Sequence, residues 1–199
     1  MTPVLIVFAT KYGQTAKIAN RIAEVLWQDG VPSVLLTAGE VPATIDVTGY
    51  GGVIVGAPVL AGSHPKAARR FVASHRATLD HVPTAFFSVS MSAAGKELAQ
   101  QVDAQRKITE FVEETRWRPT RTASFAGAIA YTKYGPLTKW FMKRIAKKEG
   151  ASTDTSRDHE FTDWARVDRF AHEFGALVRA VHEPAPPLPA EPHEPAFIG

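Results

Sequence analysis

The sequence predicts an α/β fold, a parallel sheet of five strands sandwiched between helices on both faces. Two observations carry the prediction. Val4–Ala9 is a continuous apolar run, the pattern of a strand covered on both sides in a parallel sheet. Beyond it, short apolar strands alternate with segments of helical period, as successive strand–helix–strand units require.

The elements follow in order. After the first strand comes a polar loop, then a helix whose Ile18, Ile22 and Leu26 recur every four residues beside Ala19 and Ala23. Gly30 supplies its stop. Val34–Leu36 is a second strand and Gly52–Gly56 a third. Pro65 to about Leu79 reads as a helix with proline in its first turn. Ala85–Val89 is the fourth strand, a long helix runs from about Gly95 to Thr115, and Thr122–Ala130 is the fifth strand. Five such strands fit the order 2-1-3-4-5, which binds ligands beyond the carboxyl ends of its strands. Tyr131–Phe161 interrupts the alternation before a last helix, Trp164–Val181, capped by Thr162 or Asp163 and apolar at Val167, Phe170, Phe174 and Leu177. The expected organisation is one domain over residues 1–182, with 131–161 inserted before the last helix. Residues 183–199, with prolines at 184, 186, 187, 189, 192 and 195, read as an extended tail.

Composition narrows the chemistry. The chain has 199 residues, is 45% hydrophobic and 22% charged, and contains no cysteine. Thiolate catalysis, disulfides and cysteine-ligated clusters are excluded. No stretch approaches the length of a membrane span, and the amino end lacks the basic region of a signal peptide. A cytoplasmic address is expected. Net charge is only +3, yet the basic residues are unevenly placed.

The most informative segment is Thr10-Lys11-Tyr12-Gly13-Gln14-Thr15, between the first strand and the first helix. A phosphate there meets unpaired backbone N–H groups and the positive end of the helix dipole. Thr10 and Thr15 add hydroxyls, and Gly13 lets the backbone approach an anion with no side chain in the way. The loop lacks the spacing of a P-loop and of GxGxxG, which disfavours nucleoside triphosphates and dinucleotides. An ordinary strand-to-helix turn with a threonine cap is the bland alternative.

Thr-x-x-Gly-x-Thr after the first strand resembles the flavodoxin phosphate signature. The likeness extends through Ala9–Thr15, Val55-Gly56-Ala57, Pro83–Val89, Trp117-Arg118-Pro119, Ala126-Gly127-Ala128-Ile129-x-Tyr131, Thr153-Asp154-Thr155 and Thr162-Asp163-Trp164. In that order these motifs resemble the menaquinone-dependent protoporphyrinogen IX dehydrogenase family, from about residue 3 to 182. The resemblance implies a flavodoxin-like three-layer sandwich holding FMN non-covalently. It implies that Thr10, Lys11, Tyr12, Gly13, Gln14 and Thr15 cradle the phosphate. Pro58, Val59, Leu60, Ala61 and Gly62 after the third strand, Ser88, Val89, Ser90, Met91 and Ser92 at the end of the fourth, and Gly127 would then flank the ring. Backbone groups reaching the ring edge tune a flavin's potential. One departure stands out. The family usually places a basic residue, often beside an aromatic, where this chain has Pro58-Val59-Leu60-Ala61, so no side chain from that loop stacks on the ring or offers an arginine to an acidic substrate.

By resemblance, the activity would be oxidation of protoporphyrinogen IX to protoporphyrin IX in two-electron steps, with menaquinone as acceptor, a step of haem biosynthesis. No catalytic base is identifiable. A flavodoxin-type electron carrier and an NADH- or NADPH-dependent quinone reductase are the alternatives. Within the insertion, Lys139, Lys143 and Lys147 share one helical arc and Leu137, Phe141 and Ile145 another. Such a basic amphipathic helix with Trp140 suits an anionic membrane surface or a lipid-borne quinone, so peripheral membrane contact through 137–148 is expected. Solvated lysines over an apolar side packed on the domain are the alternative. A nucleic-acid partner would need a recognised binding module or base-stacking platforms, and the chain has neither. His64, His75, His81, His159 and His172 show no metal-binding spacing, and most read as surface residues.

Overall fold

A strand apolar at every position needs cover on both faces, and Val4–Phe8 (β1) receives it. In the computed structural model, which describes all residues except 1, 43, 134, 136–139, 141, 142, 145–153 and 183–199, β1 is buried as an interior strand of a five-stranded parallel sheet. Its neighbours are Ser33–Thr37 (β2) and Gly52–Pro58 (β3). Thr84–Ser90 (β4) and Arg121–Ala126 (β5) complete the order β2-β1-β3-β4-β5.

Alternate residues of β1 face opposite layers. Ile6 and Phe8 join Ile18, Ile22, Phe87, Phe125, Phe170 and Phe174 beneath helices α1 (Gln14–Gln28) and α4 (Trp164–His182). Leu5 and Val7 join Val53, Val55, Phe71, Phe86, Ile108, Phe111 and Trp117 beneath α2 (Lys66–Leu79) and α3 (Leu98–Thr115). Burying each such side chain contributes about 1.5–3 kcal/mol, so the two apolar layers hold the sheet from both sides. On the outer surface, Arg21 Nε and Nη2 donate to the two carboxylate oxygens of Asp168 at 2.7 and 2.8 Å, clasping α1 to α4.

Two of the sequence motifs prove to be packing devices. A Cβ on Gly56 would lie 2.0 Å from the Phe87 ring, so β3 and β4 fit together only with glycine there. Trp117 is wholly buried, edge-on to Phe86 and Phe111.

Several boundaries differ from expectation, among them the third strand, which runs past Gly56 to Pro58. Pro65 precedes α2 as its cap rather than opening its first turn. The long helix begins at Leu98, not Gly95, because Glu97 and Gln100 form a reciprocal capping box, with Gln100 Oε1 accepting from Glu97 N–H at 3.2 Å. The fifth strand ends at Ala126 instead of running to Ala130. At Gly127 the chain leaves the sheet: its N–H donates to Ser90 C=O at 3.1 Å, and its C=O accepts from Phe161 N–H at 3.1 Å. Ala128–Ile129 (β6) then pairs antiparallel with His159–Glu160 (β7), so the insertion rises on a small second sheet. Asp163, not Thr162, caps α4, its Oδ1 accepting from Arg166 N–H at 3.1 Å. The helix expected over 137–148 lies largely outside the described residues, as do Thr153 and the tail 183–199.

Candidate functional site

In a parallel sheet all carboxyl ends meet at one edge, and at β1 the connections part to opposite faces. The loops gathered there are 9–13 after β1, 59–65 after β3, 91–97 after β4 and Gly127 after β5.

The loop after β1 is built for an anion. Gly13 holds φ +98° and precedes α1 without any side-chain cap. The first intrahelical bond runs from Lys17 N–H to Gly13 C=O at 3.0 Å, so the N–H groups of Gln14, Thr15 and Ala16 have no acceptor among the described residues. The first turn carries no acidic residue. Thr10 Oγ1 accepts from Gly13 N–H at 3.1 Å, which folds the loop back on itself. Thr15 is buried beneath it. Lys11 is exposed, with its ammonium 5.5 Å from the centre of the Tyr12 ring. Three free N–H groups, a glycine with no side chain in the way and two lysines, Lys11 and Lys133, suit the phosphate of a mononucleotide.

Lys133 was not legible as part of this loop. Its ammonium donates to Tyr12 C=O at 3.1 Å, reaching across from the root of the insertion. Other ties join the same two segments. Gln14 Nε2 donates to Thr162 Oγ1 at 2.8 Å, and Thr162 Oγ1 donates to Ala126 C=O at 2.7 Å. Lys17 pairs with Glu160 at 3.0 Å, and Glu160 also accepts from Trp164 Nε1 at 2.9 Å. Gln14 therefore contributes its backbone to the loop, while its amide braces the insertion.

The connection after β3 is a tight turn. Leu60 N–H donates to Ser63 C=O at 2.8 Å and Ser63 N–H to Leu60 C=O at 3.2 Å. Ala61 and Gly62, both exposed, hold φ of +48° and +85°. Positive φ at both central residues is the type I′ arrangement. Pro58 and Val89 are buried register partners at the ends of β3 and β4, and Val59 and Leu60 are half-buried.

The hydroxyls at the end of β4 and just beyond it are engaged within the protein. Ser88 Oγ lies 2.9 Å from His64 Nε2, Ser90 Oγ accepts from Ala93 N–H at 3.2 Å, and Ser92 Oγ donates to Asp103 Oδ2 at 2.7 Å. The Ser92 hydroxyl and the Arg106 guanidinium hold the Asp103 carboxyl below its usual range. Met91 packs on Ile129 and Tyr131. What this loop offers a ligand is its backbone, the Met91 side chain and the exposed Lys96. His64 stands apart from the other histidines in being only 5% exposed, and burial, with Arg69 and Lys107 nearby, lowers its pKa to about 4. Among the described residues no group of His, Asp and Glu could hold a metal ion, and no helix is long and apolar enough to cross a membrane. A surface cleft beside Gly13, lined by Lys17, Arg21 and Trp164, has its cations already paired, to Glu160 and Asp168.

Comparison with known proteins supplies the family. The protoporphyrinogen IX dehydrogenase (quinone) of Escherichia coli K12 is 32% identical over 173 residues, covering 87% of this chain and 94% of that protein. The chain belongs to the protoporphyrinogen IX dehydrogenase family. A Leishmania major member of the family is 30% identical over 186 residues, covering 93% of this chain and 78% of that protein. The flavodoxin-domain family model matches residues 5–156. Among solved structures, a short-chain flavodoxin associated with a PDU bacterial microcompartment superposes with a TM-score of 0.56 at 13% identity, covering 89% of this chain and 99% of that one. The oxidised flavodoxin 1 of Bacillus cereus gives 0.53 at 15% identity, covering 92% and 100%. These likenesses establish the flavodoxin-like fold for this member of the family.

Proposed function

We propose that this chain is an FMN-dependent oxidoreductase that oxidises protoporphyrinogen IX to protoporphyrin IX and delivers the electrons to a quinone, menaquinone by the resemblance of its motifs. The observation that carries the reading is the uncapped start of α1, with three free N–H groups behind Gly13 at the sheet's carboxyl edge. Bound FMN would accept hydrogen from the porphyrinogen and pass it on to the quinone.

The chain's own residues divide the work. Lys11, Tyr12, Gly13, Gln14 and Thr15, with Lys133 beside them, hold the phosphate, and Thr10 shapes the loop. Pro58–Gly62, Ser88–Ser92 and Gly127 form the walls on either side of the ring. On this reading one domain spans 1–182, the insertion 131–161 brings the site to an anionic membrane surface through 137–148, and the protein works in the cytoplasm at the inner face of the membrane.

Purified protein supplied with protoporphyrinogen IX and a menaquinone analogue tests the proposal. The expected result is flavin-dependent loss of porphyrinogen with stoichiometric reduction of the quinone. Protein that takes up no FMN, or holoprotein without turnover, overturns it. Turnover that requires NADH or NADPH would assign the chain as a quinone reductase instead.

A further inference from the structure

The turn after β3 is fastened to β4 on both legs. On the incoming leg Val59 N–H donates to Val89 C=O at 2.8 Å. On the outgoing leg His64 Nε2 lies 2.9 Å from Ser88 Oγ. The two anchors are consecutive residues of β4, and between them stand Leu60–Ser63 with their paired backbones.

The outgoing anchor is costly to build. Ser88 is fully buried and His64 nearly so, with the imidazole edge-on to Phe86 at 5.3 Å and to Phe111 at 5.1 Å. A leucine would fill that space without bringing nitrogen into an apolar layer. The hydroxyl and the imidazole Nε2 tolerate the burial because each satisfies the other.

We propose that His64 is a positioning residue, whose hydrogen bond to Ser88 fixes the height and rigidity of the Leu60–Ser63 turn and, through it, the seat of the flavin ring. The proposal rests on the FMN reading above. The charged groups facing His64 are Arg69 from α2 and Lys107, Glu110 and Glu114 from α3. Arg69 is paired with Glu114 and Lys107 with Glu110, each at 2.8 Å, so the surroundings do not favour an imidazolium. In the neutral ring Nε2 can donate to the Ser88 hydroxyl or accept from it, according to the tautomer.

The test compares wild type, Ser88→Ala, His64→Leu, His64→Gln and the Leu/Ala double variant, with folding checked by circular dichroism. Three quantities are measured: amide exchange at Leu60 and Ser63, FMN affinity, and the flavin midpoint potential. Ser88→Ala removes a single oxygen and keeps the proposal testable if His64→Leu fails to fold. Ser88→Ala and His64→Leu should each speed exchange at both amides roughly tenfold, weaken FMN binding to a similar degree and shift the potential. The double variant should be no worse than either single one, and His64→Gln, which retains a side-chain donor, should recover most of the loss. Unchanged exchange in Ser88→Ala overturns the anchor. Faster exchange with unaltered affinity and potential overturns its reach to the ring. Failure of wild type to bind FMN would refute the cofactor reading and the seat together, while exchange still decides the anchor.

Discussion

Gln14 and Thr162, 148 positions apart in the chain, are joined side chain to side chain at 2.8 Å, and the same threonine hydroxyl donates to Ala126 C=O. One oxygen thus ties the start of α1, the end of β5 and the foot of the insertion. Thr162→Val keeps the shape and removes that oxygen. It leaves a half-buried amide and a buried carbonyl short of a partner, at a cost of about 1–2 kcal/mol. Urea unfolding should show that loss, and FMN titration should show weaker binding.

Two glycines of the β3 region, Gly56 and Gly62, should fail differently. At Gly56 a Cβ would lie 2.0 Å from the Phe87 ring, in the middle of the sheet. Gly56→Ala must push strands apart and should cost about 3 kcal/mol or more. At Gly62 nothing lies within 4 Å of a built Cβ, but φ is +85°. Gly62→Ala should cost only about 1–2 kcal/mol, all of it backbone conformation. Thermal unfolding of the two variants gives the comparison.

The fold was legible because its signals are local. The apolar run of β1 and the four-residue recurrence in α1 each reflect burial that the sequence itself patterns. The Thr10–Thr15 loop was legible for the same reason, as a backbone motif contiguous in sequence. Lys133, Thr162 and His64 were not. Each acts through a partner brought near by the fold, Tyr12 at 121 positions, Gln14 at 148 and Ser88 at 24. A lone histidine before a proline carries no sign that a serine on the next strand awaits it. The serines at the end of β4 show the same limit: Ser88 bonds to His64 and Ser92 to Asp103, partners that no local pattern announces.

His64 also sets a pH dependence. Burial and the two nearby cations depress its pKa to about 4, against an ordinary value of 6.5. The unfolded chain takes up a proton below pH 6.5 that the folded chain refuses until about pH 4. The unfolded state therefore binds more protons in that window, and stability falls as pH is lowered through it. At the steepest point one proton corresponds to about 1.4 kcal/mol per pH unit. Urea unfolding from pH 7 to 4 should show a shallower slope in His64→Leu than in wild type, whatever the carboxylates common to both contribute. Equal slopes would mean the histidine titrates normally in the fold.

Lys133 offers the sharpest separation of phosphate from ring. Its ammonium donates to Tyr12 C=O at 3.1 Å and would lie 3.4 Å from a Cβ on Gly13, so it stands beside the Tyr12–Gly13 backbone of the cradle. A cation there acts on the phosphate by charge and on the loop by one hydrogen bond. Lys133→Met keeps the length of the side chain and removes both effects. FMN affinity should fall roughly tenfold at low ionic strength and by less at high salt, where the charge is screened in wild type too. Riboflavin has the same ring and no phosphate, so its weaker binding should respond only to the loosened loop, by less than threefold or so. Equal losses for the two ligands would place the lysine's effect on the loop's shape instead of on the phosphate. Titration of both by quenching of flavin fluorescence makes the distinction.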